Sequence, residues 1–571
     1  MKILGISFLA DASAALLIDG KVVAAVAEER LNRIKLWNGI PKRSVQAVLD
    51  IAGLTMDQID LIATHGAAPP EPDPAPFLEK EQLIRESGLT AEEKDRQLAH
   101  LRSRLEHERM VLGTRTPAYL DEIRTYGRPL AVYGHHQAHA ACAYYGSGWT
   151  ECLIMTVDGW GEDGSGSIWK GAGGSIQPVS RTPSIDSLGY FYGSITKALG
   201  FIPHRHEGKV LGLAAYNQNP VSYPKIRQMM DYDPARKRFV SRMENGLYVP
   251  RFENPALKEY IGRFNREDVA SAAQKTLEEV VRACVLDQGE AAGRIAVAGG
   301  VFANVKLNQR LCELPNVREV YVFPNMGDGG LAVGTAWLAY KEKTGRIPEP
   351  LETLYLGPGP AEKEIARALS QSGLNYKHIP DRIEEKVAEL LADGQIVARF
   401  DGRMEFGPRA LGNRSILCQA TDPTINDWLN KRLQRSEFMP FAPATLAEDA
   451  DARYIGIASA RKPARHMTIT FDCTPLLRSE APAAVHVDGT ARPQVVSEKD
   501  NPQFYRILKH YKQLTGRASV INTSFNMHEE PIVCTIDDAI RAVQAGHLPY
   551  LAAGDFLAEL NPVPVRAGAK P

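Results

Sequence analysis

The first sixty residues alternate short apolar runs with polar turns. KILGISF, AALLI and KVVAAVA have the length and the β-branched content of strands, and Asp19-Gly20 between the last two is a strong hairpin signal. The apolar spacing of SVQAVLDIAG then predicts a helix, and LIATHG predicts a further strand. The chain therefore opens as an α/β domain.

The pattern changes at about residue 70. PPEPDPAP is a proline-rich break, and residues 80–125 are charged with helical apolar spacing. We interpret residues 70–130 as an inserted helical arm, and two roles are open: an arm over a cleft or at a dimer interface, or a solvated hairpin without a role. The α/β pattern returns after residue 130. A proline- and glycine-rich linker at 346–364 separates a first domain, 1–345, from a second α/β domain, 365–571.

Composition narrows the functional classes. The 571 residues carry 67 Lys and Arg against 68 Asp and Glu, so no basic field is available to hold nucleic acid. The seven cysteines are scattered without a CxxC pair, which argues against a disulfide scaffold and a cysteine-built zinc site. No apolar run approaches the ~18 residues of a membrane helix. We expect a cytoplasmic protein with no membrane partner, and a homodimer is the usual default.

Candidate metal ligands occur in three segments. His135 and His139 in HHQAHAACAYY are four residues apart, which places both imidazoles on one face of a helix; alone, this spacing more often marks a structural pair. Asp158 ends a buried-type strand ahead of the glycine-rich WGEDGSGS, for which an ordinary hairpin is the alternative. Asp328 lies between glycines ahead of a helix. Together the four residues suit Fe(II), Mn(II) or Zn(II), whereas Mg(II) normally uses fewer histidines.

Two further segments have features of phosphate sites. A strand runs into Gly299-Gly300 and then a helix, so backbone N–H groups and the helix dipole can face a nucleotide. Lys209, between Gly208 and Gly212, is a candidate point-charge contact for phosphate; a plain surface loop that opens a helix is equally compatible.

The second half supplies a cationic set. EFGPRALGNRSI carries Arg409 and Arg414, and INTSFN brings short amide and hydroxyl side chains. Such groups together describe a pocket for a small anion and a planar amide, and the nearly balanced charge of residues 401–440 favours a small anion over nucleic acid. The candidates for this anion pocket are Arg409, Lys431, Arg435, Arg492, Asn522 and Ser524.

Six ordered motifs make the chain resemble the NodU/CmcH family of O-carbamoyltransferases over nearly its whole length. These motifs are HHQAHAACAYY, EGKVLGLAAY, GGVFANVKLN, GDGGLAVG, EFGPRALGNRSI and MPFAP. The resemblance implies an N-terminal actin-like ATPase-type domain and a C-terminal domain similar to threonylcarbamoyl-adenylate synthase. It further implies that carbamoyl phosphate and ATP form carbamoyl adenylate, whose carbamoyl group passes to a hydroxyl of a small-molecule natural product, as in antibiotic biosynthesis.

The resemblance also implies residue roles. His135, His139, Asp158 and Asp328 would hold a divalent metal, with Fe(II) favoured over Mn(II), Zn(II) and Mg(II). Asp11 and Lys35 would act near the transferred group and the acceptor. The nucleotide would meet Ser13, Gly159, Lys209, Gly299, Gly300, Asn304 and Gly327, and carbamoyl phosphate would meet the six residues of the anion pocket.

Two positions depart from the family pattern. Ala10 stands where the family has a histidine, the expected base for the acceptor hydroxyl, and Met439 stands where many relatives have arginine. Either the transfer step follows another route, or alanine has replaced a histidine that the natural gene encodes. We favour replacement, which predicts normal formation of the adenylate and slow transfer.

Three other functions share parts of the pattern. A tRNA threonylcarbamoyl-type modification enzyme is the main alternative, and the lack of a basic stripe counts against it. A hydrogenase-maturation carbamoyltransferase would carry CxxC zinc fingers, which this sequence lacks. A non-enzymatic actin-like ATP-binding module would leave the arginine motifs of the second half unexplained.

Overall fold

The computed structural model describes residues 1–162, 164–250, 253–434 and 438–560. The chain divides into two compact units. The first contains Met1–Glu28 and Leu36–Glu352, and the second contains Glu29–Lys35 together with the chain from Thr353 onward. The pattern of the sequence does not indicate this early excursion of seven residues into the second unit.

Two five-stranded sheets form the framework of the first unit. Its strands are β1 (Lys2–Ser7), β2 (Ser13–Ile18), β3 (Lys21–Ala27), β4 (Leu61–His65), β5 (Leu130–Tyr133), β6 (Glu151–Gly161), β7 (Gly164–Ala172), β8 (Ser175–Thr182), β9 (Met230–Asp233), β10 (Arg238–Ser241), β11 (Arg294–Ala298) and β12 (Glu319–Val322). Its helices, with α1 crossing into the second unit, are α1 (Glu28–Asn32), α2 (Lys42–Ala52), α3 (Ala75–Glu86), α4 (Ala91–Met110), α5 (Thr116–Arg124), α6 (His135–Ser147), α7 (Leu188–Ala198), α8 (Glu207–Ala214), α9 (Tyr223–Arg227), α10 (Pro255–Ile261), α11 (Arg266–Asp287), α12 (Val305–Cys312) and α13 (Leu331–Thr344).

The two sheets repeat one topology. The first has the order β3-β2-β1-β4-β5 and the second the order β8-β7-β6-β11-β12. In each, the first three strands form an antiparallel meander, and the remaining two run parallel to its first strand. This duplicated arrangement is that of the actin-like ATPase fold, and it confirms the predicted fold class.

The predicted hairpin between β2 and β3 is confirmed. Asp19 and Gly20 both have positive φ, 51° and 93°. Two consecutive residues in this region make the type I′ turn that matches the twist of the flanking strands. The local sequence thus sets the register of the first meander.

Close helix contacts join the two sheets. On α13, a Cβ at Gly334 would lie only 2.2 Å from the carbonyl oxygen of Ala138 on α6, and a Cβ at Gly5 on β1 would lie 1.8 Å from the carbonyl oxygen of Ala332. Larger side chains would separate these elements. Trp337 on α13 is fully buried and makes edge contacts with Tyr145 and Phe323. The glycines therefore let α6 and α13 cross closely near the start of each helix. α6 begins with His135, and α13 begins shortly after Asp328.

The inserted arm consists of α3, α4, a π-helical turn at Val111–Arg115, and α5. Two buried cations attach it to the rest of the first unit. Lys80 Nζ lies 2.9 Å from Asp186 Oδ1, and Arg104 donates from Nη1 to the hydroxyl of Tyr190 at 3.2 Å. Because both side chains are about 2% exposed, the arm is packed on the unit and is not a solvated hairpin.

A mixed eight-stranded sheet forms the centre of the second unit, with the order β13-β22-β21-β14-β15-β20-β16-β19. α15 and α19 pack on it through an apolar core that includes Val387, Ile507 and Tyr511. Its strands are β13 (Asn375–His378), β14 (Val397–Phe400), β15 (Arg414–Gln419), β16 (Ala442–Leu446), β17 (Phe471–Asp472), β18 (Thr490–Ala491), β19 (Gln494–Val496), β20 (Ser519–Ser524), β21 (Tyr550–Ala553) and β22 (Phe556–Glu559). Its helices are α14 (Glu362–Gln371), α15 (Ile383–Ala392), α16 (Ile425–Arg432), α17 (Arg461–Ala464), α18 (Pro475–Glu480), α19 (Pro502–Thr515) and α20 (Ile536–Gly546).

Among the described residues, no helix combines the length and the apolar character needed to cross a bilayer.

Candidate active site

Polar residues collect at the carboxyl ends of the parallel strands of the first unit. His65 ends β4, His135 follows β5 closely, Asp158 lies near the end of β6, and Asp328 follows β12. The carboxyl ends of parallel strands are where α/β folds bind their ligands. The topology thus brings together residues that are far apart in the sequence.

His135 and His139 lie one turn apart on α6, as the sequence predicts. Both side chains are buried, and their Nε2 atoms are 3.2 Å apart. His139 Nε2 is also 3.2 Å from Asp158 Oδ2, and both Nε2 atoms are 3.5 Å from Asp328 Oδ1. The four predicted ligands therefore point at one another.

This geometry fits a bound cation. The four donor atoms lie within 4.8 Å of one another. Two imidazoles and two carboxylates are a donor set suited to Fe(II), Mn(II) or Zn(II). The residues present thus form a possible metal site.

Charge reinforces this arrangement. Burial alone would lower the pKa of His135, but Asp328, Glu162 and Asp158 outweigh it and raise the pKa to about 10. Burial would also lower the pKa of His139, but the hydrogen bonds of His139 to Asp158 and Asp328 outweigh burial and raise that pKa. The two histidines in turn hold the pKa of Asp158 below its usual range, against the effect of burial. In the metal-free protein the His135 imidazole therefore carries positive charge between carboxylates.

The strand that carries Asp158 is longer than the sequence suggests. β6 continues to Gly161, with an irregular register between Val157 and Gly161, so Asp158 and Gly159 belong to the strand and not to the turn. Asp158 accepts the N–H of Gly159 at Oδ1 (2.6 Å) and that of Gly300 at Oδ2 (2.9 Å). These two N–H groups orient the carboxylate toward His139.

Several of the predicted nucleotide residues lie on or just after the strands that carry the site. The structure confirms the strand, the glycine pair and the following helix around Gly299, where φ is 105° and a Cβ would lie 2.2 Å from the carbonyl oxygen of Val157. Asn304 accepts the N–H of Leu307 and so caps α12. Gly327 directly precedes Asp328, and Lys209 is buried within α8 rather than in a surface loop.

The turn after β1 carries the predicted transfer residues. Ala10 is exposed, between Leu9 and Asp11, which both have positive φ. Ser13 donates its hydroxyl hydrogen to the carbonyl oxygen of Gly329 at 2.7 Å, and Asp11 Oδ2 closely approaches the same glycine. The turn is thereby held against the segment that carries Asp328. Lys35, in contrast, ends the segment that belongs to the second unit.

In the second unit, Asn522 contacts residues that are close in sequence to two other candidates of the anion pocket. Asn522 on β20 donates to Gln494 Oε1 at 2.7 Å and to the carbonyl oxygen of Ala410 at 3.3 Å. Its Oδ1 is buried without a hydrogen-bond partner. In the sequence, Arg409 directly precedes Ala410, and Arg492 lies two positions before Gln494. Ser524 ends the same strand as Asn522.

Other cations of the second half have different surroundings. Lys431 is exposed at the end of α16, and Arg435 lies outside the described residues. Arg414 is fully buried and stacks on Phe400, with its Nη atoms directed at the carbonyl oxygens of Asp401, Asn413, Pro358 and Gly402. Because its N–H groups donate to backbone carbonyl oxygens, Arg414 is a structural residue and not part of an anion pocket.

Sequence reasoning missed two groups of residues. Glu162 and His65 are buried behind His135; the only local signals are an acidic residue four positions after Asp158 and a histidine that ends a buried strand. Arg30 and Arg33 lie in the second unit, where they donate to backbone carbonyl oxygens of Gly407, Pro531 and Ile532.

Family models match both parts of the chain. The model described as Carbamoyltransferase N-terminus matches residues 2–337, more than half of the chain, and the model described as Carbamoyltransferase C-terminus matches residues 388–559. The chain therefore belongs to the carbamoyltransferase family. It is a transferase enzyme.

Several curated proteins are similar along most of the chain. Nodulation protein NolNO of Sinorhizobium fredii is 33% identical over 575 residues, covering 96% of this chain and 79% of the relative. Nodulation protein NolO of Bradyrhizobium diazoefficiens is 31% identical, covering 75% and 79%. Uncharacterized protein MJ1058 of Methanocaldococcus jannaschii is 36% identical, covering 73% and 72%. These similarities agree with the family assignment.

Solved structures are more distant. The crystal structure of HypF from T. kodakarensis matches with a TM-score of 0.34 and 13% identity, covering 60% of this chain. The chain spans 48% of that HypF. A ROK family protein from Streptococcus pneumoniae matches with a TM-score of 0.30 and 10% identity, covering 60% of this chain and 99% of that protein. The assignment of the fold here depends on the strand order instead.

Proposed function

We propose that the protein is an ATP-dependent O-carbamoyltransferase that makes carbamoyl adenylate and transfers its carbamoyl group to a hydroxyl of a small-molecule natural product. One observation carries the proposal: a chain of the carbamoyltransferase family has, in its actin-like unit, the convergent donors His135, His139, Asp158 and Asp328 at the carboxyl ends of the parallel strands. This position suits a nucleotide phosphate and its cation.

The first reaction is assigned to the second unit. Carbamoyl phosphate reacts with water to give carbamate and phosphate, and a carbamate oxygen then attacks the α-phosphorus of ATP, displacing pyrophosphate. Arg409, Arg492, Asn522 and Ser524 bind the carbamoyl phosphate and the nucleotide phosphates in this proposal. The contacts of Asn522 with Gln494 and Ala410 support it, because they gather the arginine loop and the strand ends.

The second reaction is assigned to the first unit. The acceptor hydroxyl attacks the carbamoyl carbon, its proton leaves to a base, and AMP departs with the bonding electron pair. A divalent cation bound by the four donors would stabilise the charge that develops on the adenylate phosphate. The nucleotide would lie along Gly159, Gly299, Gly300, Asn304 and Gly327, with Ser13 and Lys209 nearby, and Asp11 would act near the acceptor.

The decisive experiment separates the two reactions. Isotope exchange between ATP and pyrophosphate should appear only when carbamoyl phosphate is supplied. We expect Arg409→Gln to remove this exchange, while Asp158→Asn retains it and loses transfer to an acceptor. Arg382→Gln, which removes an exposed ion pair with Glu385, is the control.

Exchange that does not respond to carbamoyl phosphate would refute the proposal. If radiolabel instead enters bulk tRNA, the alternative of a threonylcarbamoyl-type enzyme is supported.

A further inference from the structure

A second group of buried titratable side chains lies directly behind the four candidate metal ligands. Glu162, whose side chain has no exposed surface, lies between His65 and His135. Its Oε1 is 3.1 Å from His65 Nδ1, and its Oε2 is 3.3 Å from His135 Nδ1. One carboxylate thus faces two imidazoles with its two oxygens.

His135 connects the two groups because its ring nitrogens face opposite ways. Nδ1 faces Glu162, whereas Nε2 faces His139 and Asp328. A proton on Nδ1, attracted by the carboxylate, leaves the lone pair of Nε2 directed at the other three donors. Carboxylates placed in this way behind a ligating histidine fix its tautomer and ring orientation and increase its basicity.

His65 in turn holds Glu162. When its Nδ1 donates to Glu162, its Nε2 accepts the backbone N–H of Phe8 at 3.3 Å. The imidazole also stacks on the Phe8 ring, with centroids 4.2 Å apart. Both ring nitrogens of His65 are therefore engaged, and the carboxylate is connected to the end of β1, just before the turn that carries Ala10 and Asp11.

A second metal ion bound by His65, His135 and Glu162 is the competing explanation. This explanation fails because a neutral imidazole has only one nitrogen lone pair that can bind a metal. In His135 that lone pair belongs to Nε2, which already faces the four-donor group, so Nδ1 has none for a second ion. The second group therefore supports the first.

We propose that Glu162, held by His65, is a positioning residue that orients His135 for a divalent cation. The inference rests on the metal site of the proposed function and adds two residues to it. Neither side chain belongs to the four-donor group, so the proposal concerns how tightly the cation is held.

Metal affinity of the full-length protein tests this role. Co(II) is titrated into metal-free protein and followed by its visible spectrum and by competition with a chelator; Fe(II) is tested anaerobically. We expect Glu162→Gln to weaken Co(II) binding about 10- to 100-fold and to change the spectrum. The matched control is His136→Gln, since His136 is fully buried on the same helix and its Nδ1 contacts Thr156 at 3.0 Å. It should retain wild-type affinity.

A pair of variants at His65 tests the same role independently, in case Glu162→Gln does not fold. Asn can replace the Nδ1 donor, so His65→Asn should retain most of the affinity, whereas His65→Leu should lose as much as Glu162→Gln. Equal affinity in wild type, Glu162→Gln and His65→Leu would overturn the inference and leave the proposed function standing. A wild-type protein that binds neither Co(II) nor Fe(II) would overturn both.

Discussion

Arg30 donates from Nη2 to the carbonyl oxygen of Gly407 at 2.8 Å, although 377 positions separate the two residues. Gly407 precedes Pro408-Arg409, so a guanidinium from the start of the chain supports the loop with the first candidate of the anion pocket. Arg33 adds donations of 2.7 Å to the carbonyl oxygens of both Pro531 and Ile532. The segment Glu29–Lys35 is therefore a structural part of the second unit.

Substitution of Arg30 should weaken binding of carbamoyl phosphate. We expect Arg30→Gln to raise the KM for carbamoyl phosphate about tenfold in the exchange assay. Loss of the hydrogen bond to Gly407 would displace the loop, and ~1.4 kcal/mol of lost binding free energy corresponds to a tenfold change. Arg30→Lys should be impaired less, since Arg30 makes its bond to Gly407 from Nη2 alone and a lysine can donate a single hydrogen bond. Arg382→Gln is the control. An unchanged KM in Arg30→Gln would mean that Gly407 needs no support.

Arg414 and Arg409 should respond differently to removal of charge. Arg414→Met removes the guanidinium that the carbonyl oxygens of Asp401 and Gly402 accept from, so we expect the free energy of unfolding to fall by about 3 kcal/mol. Arg409→Met should change the free energy of unfolding little and weaken carbamoyl phosphate binding. Chemical denaturation and the exchange assay measure the two effects. A stable Arg414→Met protein that has lost only ligand affinity would contradict the structural role.

Metal binding should release protons. With its pKa raised to about 10, His135 is protonated at pH 7.5 in the metal-free protein, and a cation needs the neutral Nε2. Binding therefore expels at least one proton, and the apparent affinity for Co(II) should rise about tenfold per pH unit below that pKa. Calorimetric titrations in two buffers of different ionisation enthalpy measure the number released. Identical heats in both buffers would show that His135 is already neutral.

Position 10 tests the transfer step alone. Ala10 is exposed in the turn beside Asp11, so a histidine there meets no packing constraint from burial. If the transfer step lacks a base, Ala10→His should raise the rate of carbamoyl transfer by 10²-fold or more, in the range of about 10²–10⁴ for general acid–base catalysis. Exchange between ATP and pyrophosphate should be unchanged. Ala10→Gln is the control, because it adds bulk without a base. Fast transfer in the wild-type protein would show that another group serves as the base for the acceptor hydroxyl.

Local patterns predicted what depends on neighbours in the sequence. The Asp19-Gly20 turn and the shared helical face of His135 and His139 follow from dihedral preferences and helix periodicity, and both are confirmed. The continuation of β6 past Asp158 was missed, because the glycines of WGEDGSGS favour a turn by local preference. There the pairing of β6 with β7 overrides that preference.

Long-range geometry explains the remaining omissions. His65 and Glu162 are 97 positions apart, and only the ends of β4 and β6 bring their side chains together. Arg30 and Arg33 resemble ordinary charges of a short helix, and nothing beside them indicates that they leave the first unit. The sequence places Arg414 in the same cationic segment as Arg409, and the roles of the two cannot be distinguished without knowing where each carbonyl lies.

The discontinuity of the second unit determines how the protein can be dissected. A recombinant fragment that starts at Thr353 would lack Arg30 and Arg33, and the carbonyl groups of Gly407, Pro531 and Ile532 would lose their guanidinium donors. Poor expression of such a fragment would say nothing about its chemistry. A split version should therefore supply residues 29–35 as a separate peptide, or fuse them to the fragment through a flexible tether.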